Sequence, residues 1–225
     1  MYVPNHFRLP DEYVERYLAA PRRGNLVTVH ADGPRATLVP LFAEERDEGR
    51  VLVGHLVRNN PQAREPVTGP ALAIIDIADA YVSPSWYTTN DELPNVPTWD
   101  YVTIHATGEL RVDPSPEAAL RAASALTVGM GEGDVLDRVG TAKLERMARA
   151  IVGVELRVER LEAKAKMSQN RHPDDVASLL AAFERQGLDE AAQYLREVSL
   201  PYARQRFATI REARATHELR VNPAQ

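Results

Sequence analysis

From Gly24 onward the chain is cut into short runs of β-forming residues by turn residues, and this punctuation restricts the fold more than any other feature. NLVTVHA (25–31) gives way to Asp32-Gly33-Pro34, RATLVPLFA (35–43) to the polar EERDEG (44–49), and RVLVGHLV (50–57) to Asn59-Asn60-Pro61. These three runs read as a meander. ALAIIDIADAYVS (71–83) and YVTIHATGELRVD (101–113) bring the antiparallel strands to five or six. Strands this short remove their exposed edges by closing into a barrel or a sandwich, and a small barrel is the expectation. IVGVELRVERLEAK (151–164) returns to a period of two, with Val152, Val154, Leu156 and Val158 on one face, so it rejoins the sheet as the last barrel strand.

Helices are expected around this barrel. Residues 11–19 place Tyr13, Val14, Tyr17 and Leu18 at helical spacing, with Asp11 as N-cap and Pro21 as the stop. Asn60-Pro61 opens a short helical segment. Residues 115–128 and 137–148 form helices between the fifth and last strands, and residues 174–186, 188–198 and a basic stretch after Pro201 make a helical C-terminal part. The whole reads as one domain over 1–225: an N-terminal helix (1–23), a barrel with inserted helices (24–171) and a helical extension (172–225).

Composition closes several routes. The 225 residues, 44% hydrophobic and 26% charged, suffice for a full core. Without cysteine there is no disulfide, thiolate-bound zinc, iron–sulfur cluster or thiol nucleophile. A net charge of -5 offers no general attraction to a polyanion. The charged, proline-containing N-terminus and the lack of a long apolar run lead to the expectation of a soluble cytoplasmic protein with no membrane partner. The six histidines are scattered without metal-ligand spacing, and His30, His55 and His105 on strands are expected to be satisfied core or interface groups. GMGEGD (129–134) lacks the lysine of a P-loop and follows a helix, which makes it a surface turn. No nucleophile elbow is present, so nothing supports hydrolase chemistry.

Three segments hold more aromatic, amide and hydroxyl groups than packing requires: VSPSWY (82–87), VPTWDY (96–101) and MSQNR (167–171). Both tryptophans, Trp86 and Trp99, fall there, beside Ser85, Tyr87, Thr98 and Tyr101. Such a set suits a flat heteroaromatic ligand as well as it suits a core or dimer interface. In VGHLVRNNP (53–61) a strand ends in Arg58 and Asn59 just before a helix start at Asn60, a combination that can hold a phosphate or remain a solvated surface. Pro40 cannot donate to a ladder and belongs at an edge or bulge, where neighbouring backbone becomes accessible.

MYVPNHF (1–7), Gly24 to Thr28, RATLVPL, VGHLVRNNP, YVSPSWY, VPTWDY, AIVGVEL (150–156) and KAKMSQNR (164–171) run in order through most of the chain. In these strings the chain resembles the PaiB family of FMN-binding negative transcriptional regulators. The resemblance implies an α+β fold, an antiparallel FMN-binding split β-barrel of the pyridoxamine-phosphate-oxidase type with flanking and C-terminal helices. It further implies a homodimer with FMN in a cleft between subunits. The residues it nominates for FMN are Arg35, Thr37, Leu38, Val39, Pro40, His55, Val57, Arg58, Asn59 and Asn60, together with Ser85, Trp86, Tyr87, Trp99, Lys166, Ser168, Gln169 and Asn170. Leu38, Asn59 and Asp100 stand where the family carries histidine, alanine and asparagine. Leu38 thereby lacks the hydrogen bond or proton that a histidine beside a flavin would offer.

Two functions follow from this resemblance: a flavin-dependent regulator or sensor acting on a protein or small-molecule partner, or a flavin reductase or oxidase whose chemistry the cofactor supplies. A third, direct DNA reading by residues 174–198, is disfavoured because LDEAAQYLREV (188–198) carries more acid than base. No catalytic residue and no metal ligand is nominated.

Overall fold

In a computed structural model, described for residues 1–92 and 94–221 with side chains to residue 214, the chain forms two compact units. The first comprises Met1, Leu9–Ile77 and Thr103–Ala163. The second comprises Tyr2–Arg8, Ala78–Val102 and the chain from Lys164 onward. Six strands run through them: β1 (Arg22–His30), β2 (Gly33–Arg46), β3 (Gly49–Val57), β4 (Ala71–Val82), β5 (Thr98–Asp113) and β6 (Ile151–Lys166).

The strands close a barrel in the order β1-β2-β3-β6-β5-β4. β1 to β3 form the expected meander, and β6 pairs antiparallel with β3, with Leu52 opposite Leu156 and Leu56 opposite Val152. These residues are buried, as are Leu26, Ala73, Ile75 and Ile104. Each buried leucine or isoleucine contributes about 1.5–3 kcal/mol from removal of apolar area from water. The alternate face of β3 packs Val51 and Val53 against Ala122 of helix α3 (Pro116–Gly129), with Phe42 beside them. β5 begins at Thr98, so Trp99 and Asp100 are strand residues.

Helix α1 (Asp11–Leu18) buries Tyr13, Val14, Tyr17 and Leu18 as the spacing predicts. Its N-cap, however, is Pro10, which forms no side-chain cap; Asp11 instead places its charge in the first turn. Helix α2 (Pro61–Arg64) is capped by Asn60, whose side chain accepts from the N–H of Gln62. The helix expected over 137–148 is two helices, α4 (Gly133–Val139) and α5 (Thr141–Ala148), because Gly140 takes φ 78° and breaks the run.

In the second unit α6 (Pro173–Arg185) buries Val176, Leu179 and Phe183, and Gly187 turns the chain into α7 (Asp189–Tyr194). No separation follows at Pro201. A π-helical segment, Leu195–Ser199, leads straight into α8 (Leu200–Val221). Proline has no N–H for the regular ladder, and the widened turn accommodates that loss. Among the described residues no helix is long and apolar enough to cross a membrane.

Candidate functional site

The nominated residues fall into two groups, one in each unit. In the first, the ladder between β2 and β3 ends at Leu41 opposite Gly54. Beyond that pair residues 33–40 remain paired with β1, while His55 to Val57 remain paired with β6. The barrel wall therefore splits here. Pro40 stands at the branch point, in keeping with its missing N–H, and its carbonyl lies 2.7 Å from where a Cβ on Gly54 would be. On the two lips Leu38 is 59% exposed and Val57 61% exposed, unusual values for strand aliphatics, whereas Val39 points into the core at 4%.

A chain of hydrogen bonds fixes one end of the split. Thr37 Oγ1 donates to Gln62 Oε1 (2.7 Å), Asn60 Nδ2 donates to Thr37 Oγ1 (2.9 Å), and Gln62 Nε2 donates to the Leu26 carbonyl (2.8 Å). Gln62 is 1% exposed and was not nominated from sequence; the signal would have been an amide two residues beyond a cap, where it can turn back onto the strands. Arg35 is bound to Asp32 (2.8 Å) and Glu65 (2.6 Å), and its Nη1 is buried without a hydrogen-bond partner.

Arg58 is heavily committed. Its Nε donates to the Arg149 carbonyl (2.7 Å), and its Nη2 donates to the carbonyls of Pro114 (3.0 Å) and Ile151 (2.9 Å). The Asn60 N–H donates to Val57 O, so this strand end also spends a backbone donor internally. Asn59 is exposed. Of the strand histidines, His30 is satisfied by Thr28 Oγ1 (2.8 Å) and the Pro66 carbonyl (3.0 Å). His55 differs, because its Nδ1 is buried with no hydrogen-bond partner and burial lowers its pKa.

In the second unit Tyr81 meets both tryptophans edge-on, with ring centroids 6.4 Å from Trp86 and 6.1 Å from Trp99. Trp86 also packs edge-on against Phe183, and Trp99 is 55% exposed. Ser85 is exposed at the turn, its Oγ 2.8 Å from that of Ser83. Tyr87 is buried beneath the Arg171 guanidinium (4.9 Å to the ring centroid), and burial pushes its hydroxyl pKa up. Lys166 donates to Thr98 Oγ1 (2.7 Å) and to the Trp99 carbonyl, with its Nζ 3.6 Å from Asp100 Oδ1.

Asp100 is 1% exposed, and its Oδ2 accepts a 2.6 Å hydrogen bond from Ser168. Burial pushes its carboxyl pKa up to about 6, outweighing the Ser168 hydrogen bond and the Lys166 charge. Gln169 is a local staple: its Oε1 accepts from the Met167 N–H and its Nε2 donates to the Ala165 carbonyl. Asn170 is exposed, with its carbonyl accepting from Arg206 (3.4 Å). Asp175, also not nominated, holds the segment after Tyr87 by accepting from Thr88 Oγ1 and from the N–H and Oγ1 of Thr89. Its position in the first turn of α6 was the available signal. Among the described residues no group of His, Asp and Glu could hold a metal ion.

Residues 1–160 match a family model described as "Putative FMN-binding domain". The chain belongs to that family, the PaiB family. This PaiB-family chain is 28% identical over 198 residues to protease synthase and sporulation protein PAI 2 of Bacillus subtilis, covering 86% of this chain and 94% of that one. Its fold is similar to the flavocytochrome Anf3 of Azotobacter vinelandii (TM-score 0.52, 13% identity, 73% of this chain and 72% of that chain). It is also similar to an FAD and heme binding protein of Mycobacterium smegmatis (TM-score 0.50, 17% identity, 70% and 71%). The fold is an α+β FMN-binding split barrel.

Proposed function

We propose that this protein binds FMN along the split between β2 and β3 and acts as a homodimeric flavin-dependent regulator or sensor. The observation that carries the reading is the end of the β2–β3 ladder at Leu41 and Gly54. It exposes two lips of extended backbone carrying the aliphatic side chains of Leu38 and Val57. A flat ring system gains from both, stacking on aliphatic groups and meeting backbone that the β2–β3 ladder no longer covers.

The residues present fit such a group. Leu38, Pro40 and Val57 offer apolar contact, and Asn59 offers an exposed amide. Thr37, Asn60 and Gln62 hold the lips in place, which lowers the ordering cost of binding. When bound, FMN supplies a redox-active ring, and the chain supplies position and exclusion of water. Leu38 brings no proton to this surface, which supports a sensing role over proton-coupled turnover. The name of the Bacillus relative, a sporulation protein, supports the same side.

A homodimer is supported by the outer face of β4, β1 and β2. Register places Leu72, Val27 and Ala36 in one row and Ile74, Asn25 and Leu38 in the next, and all six remain half-buried or exposed. An apolar sheet face of this kind marks an interaction surface.

The test is the absorption spectrum of the purified protein and the identity of the flavin released on denaturation. Released FMN, or saturable FMN binding by the flavin-free protein, is expected. Failure of both would sink the reading.

A further inference from the structure

Asp100 is the third residue of β5, and the start of this strand is tied to the end of its barrel neighbour β6. Ser168, just past β6, donates to Asp100 Oδ2. Lys166, the last residue of β6, donates to Thr98 Oγ1 and to the Trp99 carbonyl. All of these residues belong to the second unit.

The closed arrangement carries two costs. An ionised carboxylate has room for about four hydrogen bonds. Asp100 accepts one, and its buried Oδ1 accepts none. The Lys166 ammonium stands 3.6 Å from Oδ1 but is engaged by Thr98 and Trp99. Arg171 adds a weaker attraction, committed as it is to the Tyr87 ring and to Asn95. The buried Tyr87 hydroxyl stays neutral, and the Asp175 carboxylate of α6 is occupied by Thr88 and Thr89. The second cost is the backbone of Ser168, held at φ 56° where a serine goes only under constraint.

One motion relieves both. Because Asp100 lies only two residues inside β5, parting of the strand's first residues from β6 brings the carboxylate to water and lets Ser168 relax. A protonated Asp100 has no charge to solvate, so it is the ionised form that gains from opening. The carboxyl pKa of about 6 places the change between mildly acidic and neutral pH.

We propose that Asp100, Ser168 and Lys166 form a proton-operated latch: while Asp100 keeps its proton the start of β5 stays closed on the end of β6, and loss of the proton lets these strand ends part, carrying Trp99 and Asp100 away from it. The latch goes beyond the flavin reading and does not depend on it.

The experiment is hydrogen exchange of the full-length protein, read by mass spectrometry from pH 5 to 7.5, with each rate corrected for the pH dependence of exchange in an unstructured chain. With Asp100 at the ordinary 3.8 when open and at about 6 when closed, the opening constant rises about tenfold over this range. Protection at residues 99–102 should fall by that factor. It should not respond to dilute urea, because a local opening exposes little surface. Asp100→Asn should keep the low-pH protection throughout. Ser168→Ala removes a hydrogen bond that favours the carboxylate and should move the change to higher pH, which tests the latch even where Asp100→Asn fails to fold.

Protection that does not vary with pH overturns the proposal, as does a pH dependence that survives in Asp100→Asn or a midpoint that stays in place in Ser168→Ala. Urea sensitivity at 99–102 equal to that of β3 would mean exchange through global unfolding alone, and it overturns the proposal as well.

Discussion

Ser168, held in the left-handed region at φ 56°, donates a 2.6 Å hydrogen bond from its Oγ to the buried Oδ2 of Asp100. A serine accepts that backbone strain only where the surrounding structure fixes it, and here the fixed object is a carboxylate almost without solvent. Asp100 Oδ1 has no hydrogen-bond partner and sees Lys166 at 3.6 Å. The pair therefore holds a charge that burial opposes.

Asp100 consequently makes the protein less stable as pH rises. Its native pKa of about 6 lies above the ordinary aspartate value of 3.8, so between these values the unfolded chain loses a proton that the native state keeps. Below pH 3.8 both states are protonated and the cost is absent; above pH 6 it is fully present, at about 3 kcal/mol. Asp100→Asn stays neutral and can still accept from Ser168. Urea denaturation at several pH values should show the advantage of the Asp100→Asn variant over wild type growing from pH 4 to 6 and level above 7. A difference independent of pH would contradict the assignment.

Gly54→Ala should destabilise the barrel at the split. The added methyl would lie 2.7 Å from the Pro40 carbonyl and 2.9 Å from Leu41, too close for either to remain in place. Overpacking of this kind costs roughly 1–3 kcal/mol. Because Pro40 forms one lip, FMN affinity should fall as well, measurable by flavin fluorescence alongside urea denaturation. Unchanged stability would mean that the strands can separate at no cost.

The meander and the late return of β6 were legible because alternation of buried and exposed residues is a local property: Val152, Val154 and Leu156 reveal their face in sequence. The break at Gly140 was not, since a single glycine inside a helical pattern is tolerated or decisive according to its tertiary setting. Pro201 misled in the opposite sense, because a π-helical segment removed the need for its missing N–H. At the candidate site, residue types pointed to Arg58 and His55 but could not say which carbonyls would claim the guanidinium or that Nδ1 would be left alone. Gln62 escaped notice because its value lies in contacts with Thr37 and Leu26, distant in sequence.

Arg58 now makes a sharper prediction than a strand-end arginine alone could. If Arg58 held the phosphate, Arg58→Ala would weaken FMN binding and spare riboflavin, which has no phosphate. The three carbonyl contacts instead tie β3 to Arg149, Pro114 and Ile151, so the expected outcome is an equal loss for both flavins. Hydrogen bonds from a charged donor are worth roughly 1.5–3 kcal/mol each, and stability should fall by at least one such amount. Parallel titrations of FMN and riboflavin against wild type and variant decide between the roles, with a loss confined to FMN restoring the arginine to the phosphate.

The last prediction concerns the apolar face of β4, β1 and β2. Light scattering at micromolar concentration should give twice the chain mass of 25.0 kDa. Val29, 42% exposed, lies in the strand that carries Val27 on the same face, so a charge there should be tolerated by the isolated chain. In an isologous dimer every substitution appears twice in the interface. Val29→Glu therefore places two like charges where apolar surface was to be covered, and an unpaired buried charge costs several kcal/mol. Dimer dissociation should rise by about two orders of magnitude or more, equivalent to roughly 3 kcal/mol. The variant should sediment as a monomer with unchanged circular dichroism. A monomeric wild type would remove the dimer from the proposed function; a variant that remains dimeric would move its interface to another face.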